Sequence, residues 1–571
     1  MLEESTMGKN NRKIVRIALA IAAAVILIAG VVVVKKLIPS KKVMPLTDYY
    51  KTDDDRINVV LQNEKQEEQG LYLNGIAYID YETVSGVIDS RFYWDANENL
   101  LIYTTQSEVI KTELGSSDYY VNKSKASVEY PIVKSIGEKV YIAVNYIKMF
   151  SNIEYNVYEN PERVVIQYDW GEEYLYTDVK KNTQLRTGAS IKSDVLLQLK
   201  QGDKLVYVDT EERVTKGFSK VMTEDGIIGY VKNKHVKQAY YKKMENEAVD
   251  KSYTHITKDY KINMAWHQVT NQDANENLLN VLSVTKGLNT ISPTWFSVTS
   301  KEGNISSLAS EKYVECAHNN DLEVWALVDD FNKEVDMYEL LTYTSRREKL
   351  ENELIASAIK YELDGINIDF ENISSKAGPH YIQFLRELSI KCRNNGVILS
   401  VDNYIPASYN SHYNLEAQGE VVDYVVIMAY DEHHAGSEES GSVSSIDYVK
   451  DAVADTLKSV SKNQIIMALP FYTRLWSEST DGKVSSVSCG MDQGKAYLEA
   501  NGVKPKWDTE TGQYYGEYQT DSGLNRIWLE DNKSLELKLK AVMAEDVAGV
   551  SGWKLGLESR SVWNVILKYV N

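Results

Sequence analysis

The sequence predicts a multidomain protein whose largest part is an α/β barrel. From the N-terminus we expect a transmembrane helix, an α+β repeat domain, a small all-β domain, and a C-terminal (β/α)₈ TIM barrel with a short α+β insertion between strands seven and eight. Three observations carry this prediction: an uncharged apolar run near the N-terminus, an internal repeat, and eight buried-strand signals separated by helical stretches in residues 257–571. A chain of 571 residues is also too long for one ordinary domain.

The N-terminal apolar run predicts a membrane anchor. Residues 17–34 carry no charge, a basic segment precedes them, and Lys35 follows directly. Such a run just crosses the hydrocarbon core of a bilayer, and it ends in valines and lysines rather than in a small-residue cleavage site. We therefore expect a cytoplasmic tail at 1–16, an uncleaved single-pass anchor at 17–34 and a stalk at 35–55. Basic residues flank both ends, so the predicted outward orientation rests on the contents of the longer C-terminal part.

Residues 56–170 contain an internal repeat. The segment around Tyr78 recurs around Tyr141, 63 residues later, and the same offset carries Leu101–Tyr103 onto Val164–Ile166. Each copy is expected to form a strand, a short helix and two further strands. The region resembles the copper-amine-oxidase N-terminal-like domain of bacterial surface proteins, although it has no cluster of histidines that would bind copper. Two alternatives stay open for it, a wall-binding module and a plain spacer.

Residues 173–238 have the pattern of a small all-β domain. Gln201-Gly202-Asp203 marks a turn, and Asp225-Gly226 predicts a hairpin between two alternating strands. The region resembles the bacterial Src-homology-3-like (SH3-like) barrels that accompany cell-wall hydrolases, which implies wall contact, with a spacer as the alternative. Residues 239–256, rich in Lys, Glu and Tyr, are expected to form a linker.

Residues 257–571 show the rhythm of a (β/α)₈ barrel, because short apolar strands alternate with helical stretches. The predicted strands are Ile262–Trp266, Thr290–Phe296, Val324–Val328, Gly365–Glu371, Val397–Val401, Tyr424–Tyr430, Ile465–Leu469 and Gly549–Lys554. The interval 470–548 is too long for one helix. We expect a hairpin near Lys506–Asp508 and Tyr514–Tyr518 there, followed by a helix at Ser534–Glu545.

The fourth predicted strand carries the candidate chemistry. Strand side chains alternate faces, so Asn367, Asp369 and Glu371 share one face. A barrel strand buried on both faces should be apolar, and polar groups at its C-terminal end indicate a reaction centre. Glycoside cleavage needs an acid that protonates the leaving oxygen, and two nearby carboxyls push their pKa values apart. Glu371 is the candidate general acid, with Asp369 beside it.

The run Asp364-x-x-Asn367-x-Asp369-x-Glu371 resembles the DxxDxDxE signature of the chitinase-like family-18 glycoside hydrolases. The resemblance implies a retaining reaction in which the N-acetyl oxygen of the substrate attacks, while Asp369 orients the acetamido group. Asn367 stands where the family has an aspartate. It is expected to hydrogen-bond Asp369 without sharing a proton, which puts the pH profile in doubt more than the reaction. Asp364 is expected to be structural.

Two further segments match this family. Met428, Tyr430 and Asp431 end the sixth predicted strand and match an M-x-Y-D motif, in which the Tyr hydroxyl binds the acetamido carbonyl and the Asp shapes the subsite. Trp553 matches the tryptophan that forms the floor of the cleaved sugar's subsite, which suits a flat indole. Five other aromatic residues either extend the cleft or pack in the core: Trp295, Trp325, Tyr472, Trp476 and Trp507.

Finer similarity narrows the predicted substrate. Phe370, Asn372, the Tyr430–His433 segment and Arg526–Asp531 are similar to the bacterial peptidoglycan and spore-cortex N-acetylglucosaminidases. We therefore expect cleavage of β-1,4 bonds after N-acetylglucosamine in peptidoglycan, on the cell-wall side of the membrane. The alternatives are a chitinase acting on chitin oligomers or another N-acetylglucosamine-containing glycan, a non-catalytic glycan-binding wall protein, and a scaffold whose two small modules matter most.

Charge and composition exclude other classes of function. The net charge of −19 argues against nucleic acid as a partner. Three scattered cysteines provide neither a disulfide framework nor a zinc site. His433 and His434 have no evident third ligand, so we expect neither a metal nor a cofactor.

Overall fold

The computed structural model describes residues 4–208, 217–246 and 253–570. Parts of three predicted regions lie outside the described residues: 1–3 of the tail, 209–216 of the SH3-like domain and 247–252 of the linker. The chain divides into two compact units. The first comprises Met1–Ser90, Leu114–Ser117 and Val128–Asp250, and the second comprises Arg91–Glu113, Asp118–Ser127 and Lys251–Asn571.

The first unit begins with the helix Glu4–Leu37. Its stretch Arg12–Leu37 is long and apolar enough to cross a membrane, and a signal sequence would satisfy the same criterion. Pro39 stands two residues past the end of the helix, where a proline cannot continue it. The apolar N-terminal helix expected from the sequence is therefore present. A short helix, Leu46–Tyr49, follows it.

The repeat region contributes a seven-stranded sheet to the first unit. Its spatial order is Glu154–Tyr158, Arg163–Gln167, Arg56–Leu61, Glu64–Leu73, Ile76–Asp80, Lys139–Ala143 and Val133–Ile136. The two copies of the repeat meet in the middle, where Ile79 pairs with Ile142 and Tyr78 with Ala143 in antiparallel register. Short helical segments follow both central strands, at Tyr81–Thr83, Val84–Ile88 and Val144–Phe150.

A second seven-stranded sheet in the first unit is antiparallel. Its order is Val195–Leu199, Thr183–Arg186, Ile228–Lys232, Phe218–Thr223, Lys204–Tyr207, Glu173–Asp178 and Tyr240–Lys243, and a 3₁₀ turn covers Asn233–His235. The hairpin predicted at Asp225-Gly226 is confirmed, because Val221 pairs with Gly229 and Met222 with Ile228. Gly226 has a positive φ of 81°, a conformation that suits glycine in such a turn.

The second unit contains a closed barrel of eight parallel strands, which confirms the predicted (β/α)₈ architecture. The strands are β1 (Ile262–His267), β2 (Thr290–Val298), β3 (Glu323–Asp329), β4 (Gly365–Asp369), β5 (Ile398–Tyr404), β6 (Tyr424–Met428), β7 (Ile465–Pro470) and β8 (Gly549–Trp553). β1 pairs with both β2 and β8, so the sheet has no open edge. Each strand is buried on both faces, which explains why apolar runs identified them.

Helices surround the barrel. The α-helices are Leu278–Leu282, Glu311–His318, Met337–Leu341, Thr344–Lys360, Gly378–Asn395, Leu415–Val421, Ile446–Thr456, Asn532–Ala544 and Val562–Ile566. Short 3₁₀ turns occur at Gln272–Asn277, Ser408–Tyr413 and Lys462–Gln464, and the strand Ile305–Ser307 pairs with β2. The buried faces of helices and strands form one large apolar core outside the barrel wall.

The interval between β7 and β8 forms the predicted α+β insertion. A five-stranded antiparallel sheet has the order Val484–Gly490, Tyr472–Ser479, Gly523–Leu529, Gln513–Thr520 and Lys506–Asp508, and the helix Met491–Ala500 packs against it. The expected hairpin is confirmed, because Trp507 pairs with Tyr514. The expected last helix is also present, at Asn532–Ala544.

A five-stranded sheet from the first copy of the repeat belongs to the second unit. Its strands are Phe92–Asp95, Leu100–Thr104, Val109–Glu113, Asp118–Val121 and Ser124–Ser127. Asp95 accepts a hydrogen bond of 2.7 Å from the backbone N–H of Thr344, where a barrel helix begins and its N–H groups lack partners. The Arg347 side chain on the same helix lies over the Tyr93 ring, 4.8 Å from its centroid.

The copies share one sheet through their first strands, but their later strands join different sheets. Strand Leu100–Thr104 of the first copy pairs with Val109–Glu113, whereas the matching strand Arg163–Gln167 of the second copy pairs with Arg56–Leu61. The region predicted as one domain at 56–170 thus supplies strands to both units. Similar local sequences form similar strands, but the neighbours that each hairpin finds decide which sheet it joins.

Candidate active site

The end of β4 is fixed by side chains from neighbouring strands. β4 ends at Asp369, and Glu371 follows two residues later. Asp330 accepts hydrogen bonds from the backbone N–H groups of Glu371 (3.0 Å) and Asn372 (2.9 Å). The Tyr413 hydroxyl donates to the carbonyl of Phe370 at 3.0 Å. The backbone that carries the candidate acid is therefore held by hydrogen bonds on both sides.

A cavity of about 180 Å³ opens at this end of the barrel. It is lined by Trp266, Phe331, Asp369, Glu371, Asp402, Tyr404, Met428, Tyr430, Asp431 and Trp553. Six of the seven residues predicted for the site are among them, from β4, β6 and β8. The seventh, Asn367, is fully buried in the barrel interior, two residues before Asp369 on the same face of β4.

Three of the lining acids, Asp369, Glu371 and Asp402, have raised pKa values. Burial raises the pKa of Asp369 well above its usual range, and the negative charges of Asp402 and Glu371 raise it further. Burial also raises the pKa of Glu371; the hydrogen bond from Tyr404 opposes that shift, and Asp330 and Asp431 add to it. The lining residues include four acids and neither lysine nor arginine. A carboxyl with a raised pKa can hold a proton for the leaving group near neutral pH.

Tyr404 and Glu371 are in direct contact. The Tyr404 hydroxyl donates a short hydrogen bond to Oε2 of Glu371. Burial and the neighbouring carboxylate raise the pKa of the Tyr404 hydroxyl, so the phenol stays protonated and serves as a donor. Because Oε2 accepts from Tyr404, Oε1 is the oxygen left to carry the proton when the acid is protonated.

Asn367 makes four hydrogen bonds inside the barrel. Its Oδ1 accepts from the Trp266 indole N–H at 3.1 Å and from the Ser292 hydroxyl at 3.2 Å. Its Nδ2 donates to Ser400 Oγ at 3.0 Å and to Asp402 Oδ1 at 2.7 Å. The expectation that Asn367 binds Asp369 is wrong, because both amide hydrogens point to β5 instead.

β6 and β8 complete the cavity. Met428 and Tyr430 are nearly buried, and burial raises the pKa of the Tyr430 hydroxyl well above its usual range. Asp431 has a positive φ of 59° and accepts a hydrogen bond of 2.5 Å from Tyr472 Oη. The Trp553 indole meets Trp266 edge to face, with ring centroids 5.6 Å apart. An aromatic wall therefore faces the acids across the cavity.

Comparison with known sequences identifies the family. The profile described as glycosyl hydrolases family 18 matches residues 226–558, which is more than half of the chain. The chain belongs to this family. The family predicted from the β4 signature is therefore confirmed, and this protein is a glycosyl hydrolase.

Relatives of this family 18 hydrolase include proteins of Bacillus subtilis. It is 26% identical over 284 residues to the uncharacterized glycosylase YvbX of Bacillus subtilis, covering 47% of this chain and 81% of that protein. It is also 26% identical over 241 residues to the cortical fragment-lytic enzyme of Bacillus subtilis, covering 41% of this chain. The chain spans only 56% of that second relative's length.

Solved structures share the fold of this family 18 hydrolase. The spore cortex-lytic enzyme SleL of Bacillus cereus aligns with a TM-score of 0.50 at 21% identity, covering 59% of this chain and 78% of that one. The C-terminal domain of a chitinase from Desulfitobacterium hafniense aligns with the same TM-score at 18% identity, covering 55% of this chain and all of that one.

Four lining residues of this family 18 hydrolase were not predicted from the sequence: Trp266, Phe331, Asp402 and Tyr404. Each lies at the C-terminal end of β1, β3 or β5 or just beyond it. Polar and aromatic residues at that end of barrel strands are the signal that identified β4, so the same criterion applied to every strand would have found them.

Other predicted residues have structural contacts. Trp295, Trp325 and Trp476 are fully buried, which assigns them to the core rather than to the cleft. Asp364 lies before β4 and accepts hydrogen bonds from the backbone N–H of Val324 and from His318 Nε2. Within the described part of the chain, no group of three or more His, Cys, Asp or Glu side chains is arranged to hold a metal ion.

Proposed function

We propose that this protein is a membrane-anchored enzyme of the cell-wall side that cleaves β-1,4 bonds after N-acetylglucosamine in peptidoglycan, with retention and without a cofactor. One observation carries the proposal: Glu371 and Asp369, both with raised pKa values, line one small cavity together with Tyr430 and Trp553. These residues supply an acid, a second carboxyl, a hydroxyl and an aromatic platform.

Glu371 would protonate the leaving oxygen. Its raised pKa favours the protonated acid, and Asp330 holds the backbone on which it stands. Tyr404 stays bound to Oε2 as the proton leaves Oε1 and donates to the carboxylate that forms. The departing sugar takes the proton, and the glycosidic bond breaks toward its oxygen.

Asp369 and Tyr430 would bind and orient the acetamido group of the sugar. The carbonyl oxygen of that group attacks the anomeric carbon, while Asp369 accepts a hydrogen bond from its N–H and Tyr430 donates to the carbonyl oxygen. Asp369 Oδ1 has no hydrogen-bond partner among the described residues, which leaves an acceptor available for this purpose. Water then opens the cyclic intermediate and returns a proton to Glu371. The Trp553 face supports the sugar ring.

The proposal that peptidoglycan is the substrate rests on the similarity of this chain to named relatives. The relatives named cortical fragment-lytic enzyme and spore cortex-lytic enzyme support a cell-wall glycan, whereas the likeness to chitinases supports chitin oligomers as the alternative substrate. Both glycans contain N-acetylglucosamine, and the cavity chemistry fits both.

Digestion of purified peptidoglycan by the full chain in detergent tests the proposal. We expect new N-acetylglucosamine reducing ends by mass analysis, and none from the matched Glu371→Gln protein. N-acetylmuramic acid reducing ends would contradict the assigned bond. Turnover of chitin oligomers without release from peptidoglycan would favour the alternative substrate. Tight glycan binding with no cleavage of either would make the protein a lectin on a hydrolase barrel.

We further propose that the helix within residues 4–37 remains attached as a single-pass anchor with residues 1–16 in the cytoplasm. Its length and apolar character support an anchor, and a cleaved signal sequence is the competing interpretation. The intact mass of the protein purified from membranes decides between them. A mature chain that starts beyond residue 37 would contradict the anchor.

The predicted copper-amine-oxidase-N-like domain (56–170) and SH3-like domain (173–238) are proposed as wall-contact modules, with plain spacers as the alternative. The linker (239–256) joins them to the hydrolase domain (257–571). A deletion of residues 56–240 is a poor test, since it removes the sheet of residues 92–127 from the barrel unit. A test that leaves the fold intact measures binding of the Glu371→Gln protein to sacculi while soluble N-acetylglucosamine oligomers compete for the active site. Binding that persists under saturating competitor supports a second contact, and complete displacement contradicts it.

A further inference from the structure

Asp402 on β5 is the neighbour of Asp369 on β4. The register pairs Asn367 with Ser400 and Ile368 with Val401, so Asp369 and Asp402 stand at the next position of adjacent parallel strands. Such strands lie about 4.8 Å apart, and alternation turns both side chains to the barrel interior. Asp369 is 5% exposed and Asp402 is 2% exposed, and both line the same cavity.

No cation faces this pair of carboxyls in the cavity lining. Several ionisable groups act on one or both carboxyls of the pair: Glu371 from β4, Asp329 and Asp330 from β3, Tyr404 and Tyr413 from β5 and the turn after it, Tyr430 from β6, and Tyr381 from the helix Gly378–Asn395. All of these groups are acids. Burial and the charge of Glu371 raise the pKa of Asp402 well above its usual range, although the amide of Asn367 opposes the shift. Two neighbouring buried carboxyls in such surroundings ionise one at a time.

Asn367 cannot take part in proton sharing, because an amide neither gains nor loses a proton in the working pH range. It instead donates from Nδ2 to Oδ1 of Asp402 at 2.7 Å and so fixes that carboxyl. On the other side, Asp369 Oδ1 is buried without a hydrogen-bond partner among the described residues. A buried carboxylate oxygen left alone is costly, and a proton shared with a neighbouring carboxyl reduces that cost.

We infer that Asp402 is the positioning residue that shares one proton with Asp369, so that β5 supplies the second carboxyl that Asn367 on β4 cannot supply. This inference rests on the proposed function for its catalytic consequence. The pair carries one proton and one negative charge throughout. When the proton bonds to a carboxyl oxygen of Asp402, Asp369 is the carboxylate that accepts the substrate N–H. When the proton returns to Asp369, the charge moves to Asp402, and no proton leaves the pair.

Four full-length proteins in detergent test the inference: wild type, Asp402→Asn, the relocated pair Asn367→Asp/Asp402→Asn, and the control Asp423→Asn. Asp423 is also a buried acid, with its pKa raised to about 6 by burial. Its oxygens accept from the backbone N–H groups of Ile256 and Leu399, and it does not line the cavity. Two readouts are taken for each protein, the pH profile of peptidoglycan cleavage and the pH dependence of thermal unfolding.

Asp402→Asn should lower kcat about 10- to 100-fold with little change in KM, which is less than the ~10²–10⁴-fold effect of a direct general acid. The alkaline limb of its profile should move to higher pH by up to about one unit, because the single negative charge of the pair then stays on Asp369, two residues from Glu371, and raises the pKa of Glu371. The relocated pair should restore most of the rate and return the limb toward its original pH. Asp423→Asn should leave the pH of the alkaline limb unchanged.

The unfolding readout does not depend on catalysis. An acid whose pKa is raised by folding costs stability as pH rises from its unfolded value toward its folded value. Wild type should therefore lose more thermal stability between pH 5 and 8 than Asp402→Asn does. The relocated pair should again lose about as much stability over this range as wild type.

The two readouts separate the possible failures. An active wild type with an unchanged Asp402→Asn profile and unfolding curve overturns the shared proton. Loss of activity in Asp402→Asn that the relocated pair does not restore, with the alkaline limb unmoved, also overturns it and leaves a merely structural residue. A wild type that cleaves no glycan, while Asp402→Asn flattens the unfolding curve and the relocated pair restores it, overturns the proposed function but supports the proton pair.

Discussion

Buried acids occur in two regions of the barrel unit, and they have opposite surroundings. At the mouth, Asp369, Asp402 and Glu371 line a cavity without lysine or arginine. In the outer layer, a second cluster joins three acids to three cations through Arg347–Glu387 (2.9 Å), Lys391–Glu351 (2.9 Å) and Lys111–Glu348 (2.8 Å). The acids of the first region have no lysine or arginine beside them in the cavity lining, whereas each acid of the second region contacts one.

The pKa values follow this difference. Burial alone would raise the pKa of Glu387, but the Arg347 guanidinium outweighs burial and lowers that pKa to about 2. Its neighbour Glu351 has its pKa raised to about 8, first by burial and then by the charge of Glu387. At the mouth, burial raises the pKa of all three acids named above. The fully buried Arg347 therefore keeps Glu387 charged, whereas Glu351, whose partner Lys391 is partly exposed, favours the protonated form as the acids at the mouth do.

The largest effect expected from this comparison is on the rate. Glu371→Gln removes the proton donor while keeping the shape of the side chain, so peptidoglycan cleavage should fall by ~10²–10⁴-fold or more. Reducing-end analysis measures the loss. Thermal unfolding should change little, because Glu371 has no cationic partner to leave behind. Wild-type turnover in this variant would show that the acid has been assigned wrongly.

In the outer layer, the expected effect is on stability. Arg347→Met leaves Glu387 buried without its cation, which typically costs about 3–5 kcal/mol. Chemical denaturation followed by tryptophan fluorescence measures it in the transition of the barrel unit. The double variant Arg347→Met/Glu387→Leu is the matched control and should recover most of the loss. The surviving folded protein should keep its kcat, and a fall in kcat would mean that the two regions are coupled.

The pH dependence of stability should differ in sign between Glu387 in the outer layer and the acids at the mouth. Folding lowers the pKa of Glu387 to about 2, so its contribution is present above its unfolded pKa of about 4.5 and is lost as pH falls toward 2. A shift of that size is worth about 3 kcal/mol. Thermal melts from pH 2 to 5 should be flatter for Glu387→Gln than for wild type. The mouth acids act in the other direction, since their raised pKa values cost stability as pH rises.

The smallest expected effect is a shift of the alkaline limb of the pH–rate profile. Tyr404→Phe removes the hydrogen bond that lowers the pKa of Glu371, so that pKa should rise and the alkaline limb should move to higher pH. A single hydrogen bond to a charged group is worth about 1.5–3 kcal/mol, which sets an upper bound of on the order of one to two pH units. Pre-steady-state pH profiles measure it. A limb that stays in place would mean that Tyr404 leaves Glu371 before the proton moves.

Much of the barrel was predictable because its strands are buried on both faces. Seven of the eight predicted strands lie within two residues of the observed bounds, the fifth ends three residues later than predicted, and the β4 signature identified two of the acids at the mouth. The strand-end criterion would have marked Asp402 as a candidate, but one acid at the end of β5 forms no motif that reveals its role. Its importance arises from the register with β4, which a linear pattern does not contain.

The repeat shows a second limit of sequence reasoning. Two copies with the same alternation predict the same local strands, and both form them. Which sheet each hairpin joins is decided by tertiary neighbours such as Thr344 and Arg347, which lie more than 200 residues away along the chain. Local patterns carry no information about such partners.

The sheet of residues 92–127 also has a consequence for the order in which the protein is made. Asp95 precedes its partner Thr344 by 249 residues. At about 5–20 residues per second, a ribosome reaches Thr344 roughly 10–50 s after Asp95 has been added. Throughout that interval the hairpin that begins at Phe92 has no helices to cover it. A stalled or truncated product of this gene would therefore present an unprotected sheet, and only a chain extended past the helix that begins at Thr344 can bury it.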